Sequence, residues 1–378
     1  MHTRSRSLPG PCPSLPAPGR RRALQAGCAL ALAPIALAGC GRPADYDAAV
    51  AATWRHADAS LTDAAAVRRE LVRYATLAAN SHNTQPWRFV ISDNAIAVQP
   101  DPARRTPVVD PDDHHLFASL GCAMENLVQA AAAFGWHAEV ALQGVQPVAR
   151  LAPAPARRTP LFEAIVARQC TRSDFDGSTI APADLRALEA AAQAPGLRLL
   201  LITDKARIEN VVDYVTQATL AQMQDPRFVA ELKQWTRFSD AEALASRDGL
   251  AARTSGNPAL PRWAGEPLFG WLATPDREAE RYARQIRSSS GIAVFVSEQS
   301  NPASFIEAGR AYQRFALQAT ALGLANAFVN QPVEMAVLRS QFGVWLDLGG
   351  ARPNFIVRFG RAPAMPRSLR RPVEQVLV

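Results

Sequence analysis

One stretch of the chain combines short polar side chains with a rigid Pro-Trp pair: Ser81-His82-Asn83-Thr84-Gln85-Pro86-Trp87. Amide and hydroxyl groups of this kind can reach the edge of a flat heteroaromatic ring, while the proline restricts the backbone that presents them. The stretch therefore predicts a turn that binds a planar ligand. The alternative is an ordinary polar loop that ends at a proline.

This turn lies between a predicted helix and a predicted strand. Residues 68–79 are rich in helix formers and contain neither glycine nor proline, whereas residues 89–91 are apolar and favour a strand, with a hairpin partner at 95–98. A second helix is predicted over 115–134, because apolar residues recur there at three- and four-residue spacings. The segments after it predict a strand at 137–142 and a proline-rich linker at 144–160.

The same plan occurs a second time. Residues 121–135 align without gaps on residues 309–323, at an offset of 188, with five identical positions that are all Gly or Ala. Small residues at these spacings are typical of helices whose backbones pack closely. The helix-to-strand pattern of the first copy also returns at 185–201. We therefore predict an α+β fold of two tandem copies, 61–150 and 151–378.

Residues 225–281 interrupt the second copy and contain Trp235, Trp263 and Trp271 among several glycines and prolines. Long insertions of this kind are often lids over a binding site. Two interpretations of residues 225–281 are open: a lid over the site, and an elaboration of the surface.

Three further segments share one order along the chain with the turn: Arg168-Gln169-Cys170-Thr171-Arg172-Ser173-Asp174-Phe175, Asn330-Gln331-Pro332-Val333-Glu334-Met335 and Leu369-Arg370-Arg371-Pro372-Val373-Glu374. In this order they resemble the motifs of the nitroreductase family, and most closely its single-chain, export-tagged branch typified by the mycobacterial Acg proteins. Ordinary members are homodimers with FMN in each of two sites across the interface. The resemblance therefore implies that the two copies are two fused subunits, and that the cofactor is FMN.

The resemblance assigns cofactor contacts to Ser81, Asn83, Gln85, Arg168, Cys170, Arg172, Asn330, Pro332, Glu334, Arg370 and Arg371. It implies that Arg168 binds the phosphate, for which a guanidinium fork is well suited. Arg172 would face the N1 and O2 edge of the ring, where reduced flavin carries negative charge. The C-terminal segment would complete the phosphate clamp, and here we favour Arg371 over Arg370.

Two details qualify this assignment. Cys170 stands where the family usually has serine, which weakens one phosphate hydrogen bond. The backbone N–H groups at Glu334 and Met335 would face flavin N5, so no catalytic side chain is implied.

A symmetric second site would need matching motifs at 54–62 and 193–196, and neither segment has them. We predict one functional flavin site and one that has decayed.

The implied activity is transfer of hydride to flavin N5, followed by ping-pong transfer to nitroaromatic or quinone-type acceptors. An alternative is an FMN-sequestering storage protein with a lid over the flavin and little turnover. Because the two copies are fused, the interface that joins two subunits in ordinary family members would lie within one chain. A monomer is therefore expected, and a homodimer is also open.

The N-terminal residues predict export. Residues 1–39 hold five arginines and no acidic residue, and Arg20-Arg21-Arg22 precedes an apolar run over 23–38. The arginines resemble a twin-arginine signal, and Leu37-Ala38-Gly39-Cys40 resembles a lipobox. We expect cleavage before Cys40, a lipid on that cysteine, a tether over 40–60 and a location on the periplasmic side of a membrane. A cleaved soluble signal, with Cys40 incidental, is the alternative.

Other site classes are not indicated. Beyond residue 39 the chain has 36 basic and 34 acidic residues, and no basic face with interleaved aromatic residues, so we expect no nucleic-acid partner. Glycine-rich nucleotide motifs and HExxH are absent from the sequence. His114 and His115 are adjacent and are interpreted as a solvent-exposed loop pair, so no metal is expected. A disulfide between Cys122 and Cys170 is possible but not required.

Overall fold

A computed structural model describes residues 43–58 and 60–378. The predicted export segment and Cys40 lie outside these residues. The helices are α1 Pro43–Thr53, α2 Ala64–Thr76, α3 His114–Ala133, α4 Pro160–Ala164, α5 Pro182–Ala191, α6 Lys205–Gln224, α7 Pro226–Trp235, α8 Asp240–Ser246, α9 Arg262–Leu272, α10 Pro275–Arg287, α11 Pro302–Ala321, α12 Gln331–Glu334 and α13 Ala336–Trp345. The strands are β1 Trp87–Ile91, β2 Ala95–Pro100, β3 Trp136–Gln143, β4 Gln146–Pro153, β5 Leu197–Ile202, β6 Thr236–Arg237, β7 Leu250–Ala251, β8 Gly291–Ser297, β9 Ala325–Phe328 and β10 Arg352–Gly360.

Two four-stranded antiparallel sheets have the same topology. The first has the order β1-β2-β4-β3 and the second the order β5-β8-β10-β9. Counting strands within each copy, the two orders are identical, and α3 and α11 occupy the same place between the second and third strands. The mixed α and β architecture of two tandem copies is therefore confirmed.

The two copies meet where α3 packs on α11, and the contact is reciprocal. A Cβ added at Gly121 would lie 1.9 Å from the carbonyl oxygen of Ile306, and one added at Gly309 would lie 2.0 Å from that of Ala118. Ala118 and Ile306 are themselves related by the offset of 188 residues. Each glycine thus contacts the equivalent point of the other helix, which is the self-complementary contact expected of a two-fold interface.

The predicted tether over 40–60 is wrong for most of its length. Residues 43–53 form α1, and Tyr46 within it is only 1% exposed. Its hydroxyl donates to the carbonyl of Arg367 at 2.8 Å. Alanine-rich sequence favours a helix, and the single aromatic side chain fixes that helix to the body of the protein.

The predicted linker over 144–160 is also wrong, because β4 occupies 146–153. This strand pairs with β3 over its full length, whereas only residues 148–150 pair with β2. Pro147 and Pro153 lie outside that shorter ladder, where a missing N–H costs little. The prolines therefore mark the ends of a strand and not a linker.

The insertion is longer than predicted. Strands β1 and β2 are joined by residues 92–94, whereas their counterparts β5 and β8 are joined by residues 203–290, here called the inserted segment. It contains helices α6 to α10. Residues of α6 and α10 pack on the second sheet through Ile208, Val212 and Ile286. Within the described residues, α3 is long and apolar enough to cross a bilayer, but it is the buried core helix of the first copy.

Candidate functional site

A cavity with a volume of about 380 Å³ lies where both copies and the inserted segment meet. The first copy contributes the predicted turn, and the second copy contributes the segments after α4 and after β9. More than half of the lining residues belong to the inserted segment. The lining residues include Ser81, His82, His115, Cys170, Arg172, Gln222, Phe238, Leu260, Phe269, Asn330 and Glu334.

The predicted turn begins just beyond α2 and is a short 3-10 turn with an unusual backbone. His82, Asn83 and Gln85 have positive φ values of 46°, 53° and 52°. Three non-glycine residues in this region store strain that surrounding contacts must offset, and such strain is frequent at binding sites. Ser81 lines the cavity, as expected.

Asn83 and Gln85 have structural roles that the sequence did not indicate. Asn83 donates to the carbonyls of Gly249 at 3.0 Å and Leu369 at 3.1 Å. Gln85 is fully buried, donates to the carbonyl of Arg247 at 2.8 Å and accepts from the backbone N–H of Arg371 at 2.8 Å. These bonds tie the turn to the inserted segment and the C-terminal segment. Gln85 lines neither cavity, so the structure does not place it as a cofactor contact.

A smaller cavity of about 50 Å³ adjoins the large one and shares Asn80, Cys170 and Arg172 with it. Besides Arg172, three arginines line it: Arg168, Arg367 and Arg370. Arg168 and Arg370 are only 2% and 4% exposed. Within the described residues none of the three forms an ion pair, and the Nε atom of Arg168 is buried without a partner.

Neutral groups are the partners of these guanidinium groups. Arg370 donates to the carbonyls of Thr76 at 2.7 Å and Ala78 at 3.2 Å, and Arg168 donates to that of Leu77 at 3.2 Å. These carbonyls end α2, where the helix dipole favours cations. The dipole offsets only part of the positive charge of three guanidinium groups.

The pKa values of Arg367 and Arg370 are both lowered at this site. Burial, and then the charge of Arg168, lower the pKa of Arg370 to about 9. The same two causes lower the pKa of Arg367. Both groups stay protonated at neutral pH, so the small cavity is a buried cationic site. A phosphate dianion fits this donor set, because buried charge is tolerated only when it is paired.

Arg172 and Cys170 lie at the junction of the two cavities. Arg172 forms no ion pair in the part of the chain that the structure describes, and its backbone is held by Gln285 and Met365. The Cys170 sulfur lies 3.8 Å from Nη1 of Arg168 and 3.9 Å from the Tyr312 hydroxyl. Cys122 and Cys170 are both free thiols.

His115 and Glu334 form a hydrogen-bonded pair in the lining of the large cavity. The Nε2 atom of His115 is 3.4 Å from one oxygen of Glu334, and Gln222 donates to the other oxygen at 2.7 Å. Burial opposes the His115 charge, but the hydrogen bond with Glu334 and nearby carboxylates outweigh it and raise the pKa of His115. Burial likewise opposes the Glu334 charge, but His115 and Gln222 keep its pKa below the usual value.

Of the segment after β9, Asn330 and Glu334 line the cavity, whereas Pro332 and Met335 do not. The Asn330 side chain accepts from the backbone N–H of Ile356 at 2.9 Å and so fixes this segment to β10. His82, the second residue of the turn, is half-buried, and the loss of solvation lowers its pKa to about 4. His82 is therefore neutral at pH 7.

The structure favours Arg370 over Arg371 for the predicted phosphate contact. Arg370 lines the small cavity, whereas the Arg371 side chain donates to the carbonyl of Gln375 at 2.6 Å, outside it. Sequence analysis also missed Arg367, His115 and Gln222. Arg367 lies only three residues before Arg370, and this short spacing could have indicated it as a candidate.

His114 and His115 are not a solvent-exposed loop pair. Both are buried in the first turn of α3, and their ligand atoms and those of Asp110 lie within 4.8 Å of one another. Both Asp110 oxygens already accept backbone N–H groups at 2.9 Å, from His115 and Leu116. We therefore assign this cluster to the capping of α3.

Two proteins of Mycobacterium tuberculosis are similar to the chain in sequence, and both are provisionally named NAD(P)H nitroreductases. Rv3131 is 28% identical over 326 residues, which covers 82% of this chain and 90% of the relative. The protein named acg is 25% identical over 333 residues, which covers 82% and 95%. No protein-family model matches the chain. The two relatives support the resemblance to the nitroreductase family.

Solved structures show weaker similarity. The FMN-dependent nitroreductase NfnB from Mycobacterium smegmatis, solved with NADPH, has a TM-score of 0.38 at 14% identity, covering 55% of this chain and 94% of NfnB. A nitroreductase with bound FMN from Desulfitobacterium hafniense has a TM-score of 0.36 at 16% identity, covering 59% and 98%.

Proposed function

We propose that this chain is an FMN-dependent oxidoreductase of the nitroreductase family, with one FMN between its two copies. The observation that carries the proposal is the cluster of the buried Arg168 and Arg370 with the half-buried Arg367, which no carboxylate of the described residues neutralises and which adjoins a cavity of about 380 Å³. A phosphorylated ligand with a large planar part matches a cationic pocket beside a larger, mostly apolar one. The names of the two mycobacterial relatives support the same class.

In this proposal the arginine cluster holds the phosphate, with Arg168 offering its unpaired Nε. Ser81 and Asn330 face the planar part from opposite copies. Arg172 presents a cation to negative charge that develops at the ring edge. The expected contacts of flavin N5 with the backbone at Glu334 and Met335 are not proposed, because the Glu334 N–H donates to the carbonyl of Asn330 at 3.1 Å and Met335 does not line the cavity. When bound, the flavin supplies two-electron transfer, which no side chain here can perform.

The other residues prepare the cavity for that chemistry. His115 holds a proton beside Glu334, and Gln222 fixes the carboxylate that keeps it there. Phe238, Leu260 and Phe269 of the inserted segment exclude water from the cavity. The proposed donor is NAD(P)H and the proposed acceptors are nitroaromatics or quinones, used in a ping-pong sequence.

One observation favours a second candidate function, FMN storage. More than half of the residues lining the cavity belong to the inserted segment, which therefore covers the face that a second substrate needs. A segment that stays in place would keep the cofactor from donors and acceptors alike.

The visible spectrum of the purified protein tests both candidates, with NADPH added in the absence of oxygen. The oxidoreductase is supported by flavin bands that NADPH bleaches and that a quinone restores. Bands that NADPH leaves unchanged favour storage. A colourless protein that FMN cannot reconstitute contradicts both.

We further propose that the chain is exported, lipid-anchored at Cys40 on the periplasmic side of a membrane, and monomeric. Incorporation of a labelled fatty acid into the wild type, and its loss in Cys40→Ala, would support the anchor. Light scattering at a mass of one chain would support the monomer. Equal labelling of both proteins, or a mass of two chains, would contradict the respective part.

A further inference from the structure

Helix α9 has an uncharged face towards solvent. Its exposed residues include Trp263, Pro267, Gly270 and Trp271, at helical spacings that place them on one side. Trp263 is 79% exposed and Trp271 is 69% exposed. A helix on a water-covered surface normally turns charged side chains outward, so this face is the reverse of the expected pattern.

The opposite side of α9 is apolar as well. Leu268 and Phe269 line the cavity, and Gly265 packs against Phe238. The charged residues of the helix are Arg262 and Glu266, which lie one turn apart and pair with each other at 3.4 Å. A helix that is apolar on both sides indicates a non-aqueous environment outside as well as inside.

A cation lies at the edge of this face. The guanidinium of Arg277 lies 5.7 Å from the ring centre of Trp271 and donates to its carbonyl at 3.5 Å. It forms no ion pair with any residue that the structure describes. An arginine beside exposed tryptophans suits the phosphate and glycerol region of a lipid surface.

The N-terminal helix connects this region to the proposed lipid anchor. Tyr46 of α1 packs with Ala243 of α8, and Arg253 bridges Asp47 of α1 to Asp240 of α8. Helix α8 in turn contacts α9, since Arg262 pairs with Glu242 at 3.0 Å. Cys40 precedes Pro43, the first residue of α1, by three positions in the sequence.

We propose that α9 docks on a phospholipid membrane surface, with Trp263 and Trp271 in the headgroup region. Tryptophan is enriched at that depth because its ring is apolar and its N–H is polar. A membrane is favoured over a second copy of the chain because the proposed anchor joins the same inserted segment that carries α9. The exposed apolar face then has a partner that does not depend on protein concentration.

Docking has a consequence for the substrate. The cavity begins on the inner side of α9, so it would lie about one helix diameter, ~10 Å, from the lipid surface. Of the acceptors proposed above, a lipid-soluble quinone is concentrated there. This step rests on the proposed function, and the choice of a membrane as the partner of α9 rests on the proposed lipid anchor.

Quenching of tryptophan fluorescence by brominated lipids tests the docking. The full-length, lipid-anchored protein is reconstituted into phosphatidylcholine and phosphatidylglycerol vesicles, with and without bromine on the acyl chains near the headgroup. W263F/W271F removes the two reporters, and W345F is the matched control on α13, away from α9. Each is measured with and without FMN, so failure of flavin binding is seen separately in the flavin spectrum.

We expect brominated lipid to quench the wild type and W345F, and this quenching to be lost in W263F/W271F. Equal quenching of all three proteins would overturn the proposal, because other tryptophans would then account for it. Absence of quenching in the wild type would also overturn it. So would an emission shift that follows protein concentration and not lipid, since a second copy would then cover the face.

Discussion

At the scale of single residues, the arginine cluster is the main evidence for the ligand that the site binds. Arg168, Arg367 and Arg370 line one small cavity, and the described neighbours that bind them are neutral. Burial of like charges costs free energy unless an anion joins them. Burial and the charge of Arg168 lower the pKa values of Arg367 and Arg370.

Replacement of Arg168 by methionine should separate phosphate binding from ring binding. The variant loses a charged hydrogen-bond donor worth about 1.5–3 kcal/mol, so FMN affinity should fall by about 10- to 100-fold. Riboflavin, which has no phosphate, should bind the variant and the wild type equally. Fluorescence titration with both flavins measures this.

Arg371→Met is the matched control, because Arg371 lies next to the cluster in sequence but outside the small cavity. It should leave the preference for FMN over riboflavin unchanged. Equal loss of FMN affinity in both variants would contradict the assignment of the phosphate site.

Replacement of Glu334 by glutamine should lower the pKa of His115. The His115 pKa is raised, so its share of the stability is complete below its unfolded pKa and is lost as the pH rises through the folded value. The Glu334 pKa is lowered, so its share is present above its unfolded pKa and is lost as the pH falls through the folded value. The pair therefore stabilises the fold most between the unfolded pKa of Glu334 and the unfolded pKa of His115.

An NMR titration of the histidine ring protons, assigned with His115→Gln, measures that change. Glu280→Gln, at an exposed position of α10, should leave the His115 titration unchanged. If Glu334→Gln also leaves it unchanged, the 3.4 Å contact does not set the charge of His115.

Some residue assignments could be predicted from the sequence and others could not. Arg168, Arg172 and Ser81 occupy the expected cavities because each belongs to a local motif. Neighbouring side chains of the C-terminal segment point in different directions, so sequence alone could not choose between Arg370 and Arg371. His115 becomes a cavity residue only through its contact with Glu334, 219 positions away.

At the scale of elements, the contact of α3 with α11 holds the two copies together. Gly121→Ala or Gly309→Ala would place a methyl group about 2 Å from a backbone carbonyl oxygen of the facing helix. Backbone cannot yield as a side chain can, so each change should cost about 3 kcal/mol or more. Urea denaturation measures the loss.

Gly343→Ala is the control for that experiment, because a Cβ there would meet only ordinary contacts at 3.9–4.0 Å. It should be neutral, or stabilise α13 slightly through better helix propensity. Stability of Gly121→Ala equal to that of the wild type would contradict the close packing of the two copies.

The elements themselves show where sequence patterns suffice. Helices α3 and α11 were predicted from spacing and repetition, because both are long and regular. Strand β4 was hidden by Pro147 and Pro153, whose tolerance depends on which strand edges pair. Helix α1 was hidden because one buried aromatic, Tyr46, fixes an otherwise featureless alanine-rich segment.

At the scale of the whole molecule, the two copies share a topology but have diverged at the site. The first copy passes from α2 to β1 through residues 77–86, which hold the strained turn, whereas the second passes from α5 to β5 through only residues 192–196. The inserted segment occurs in the second copy alone. The chain therefore has the framework of a symmetric pair, and we propose that it holds one flavin site.

The stoichiometry of bound flavin tests this account most directly. The purified chain is saturated with FMN, freed of excess by gel filtration, and its flavin absorbance is compared with its protein concentration. The account predicts one FMN per chain. Two per chain would contradict the loss of the second site, and none would contradict the site itself.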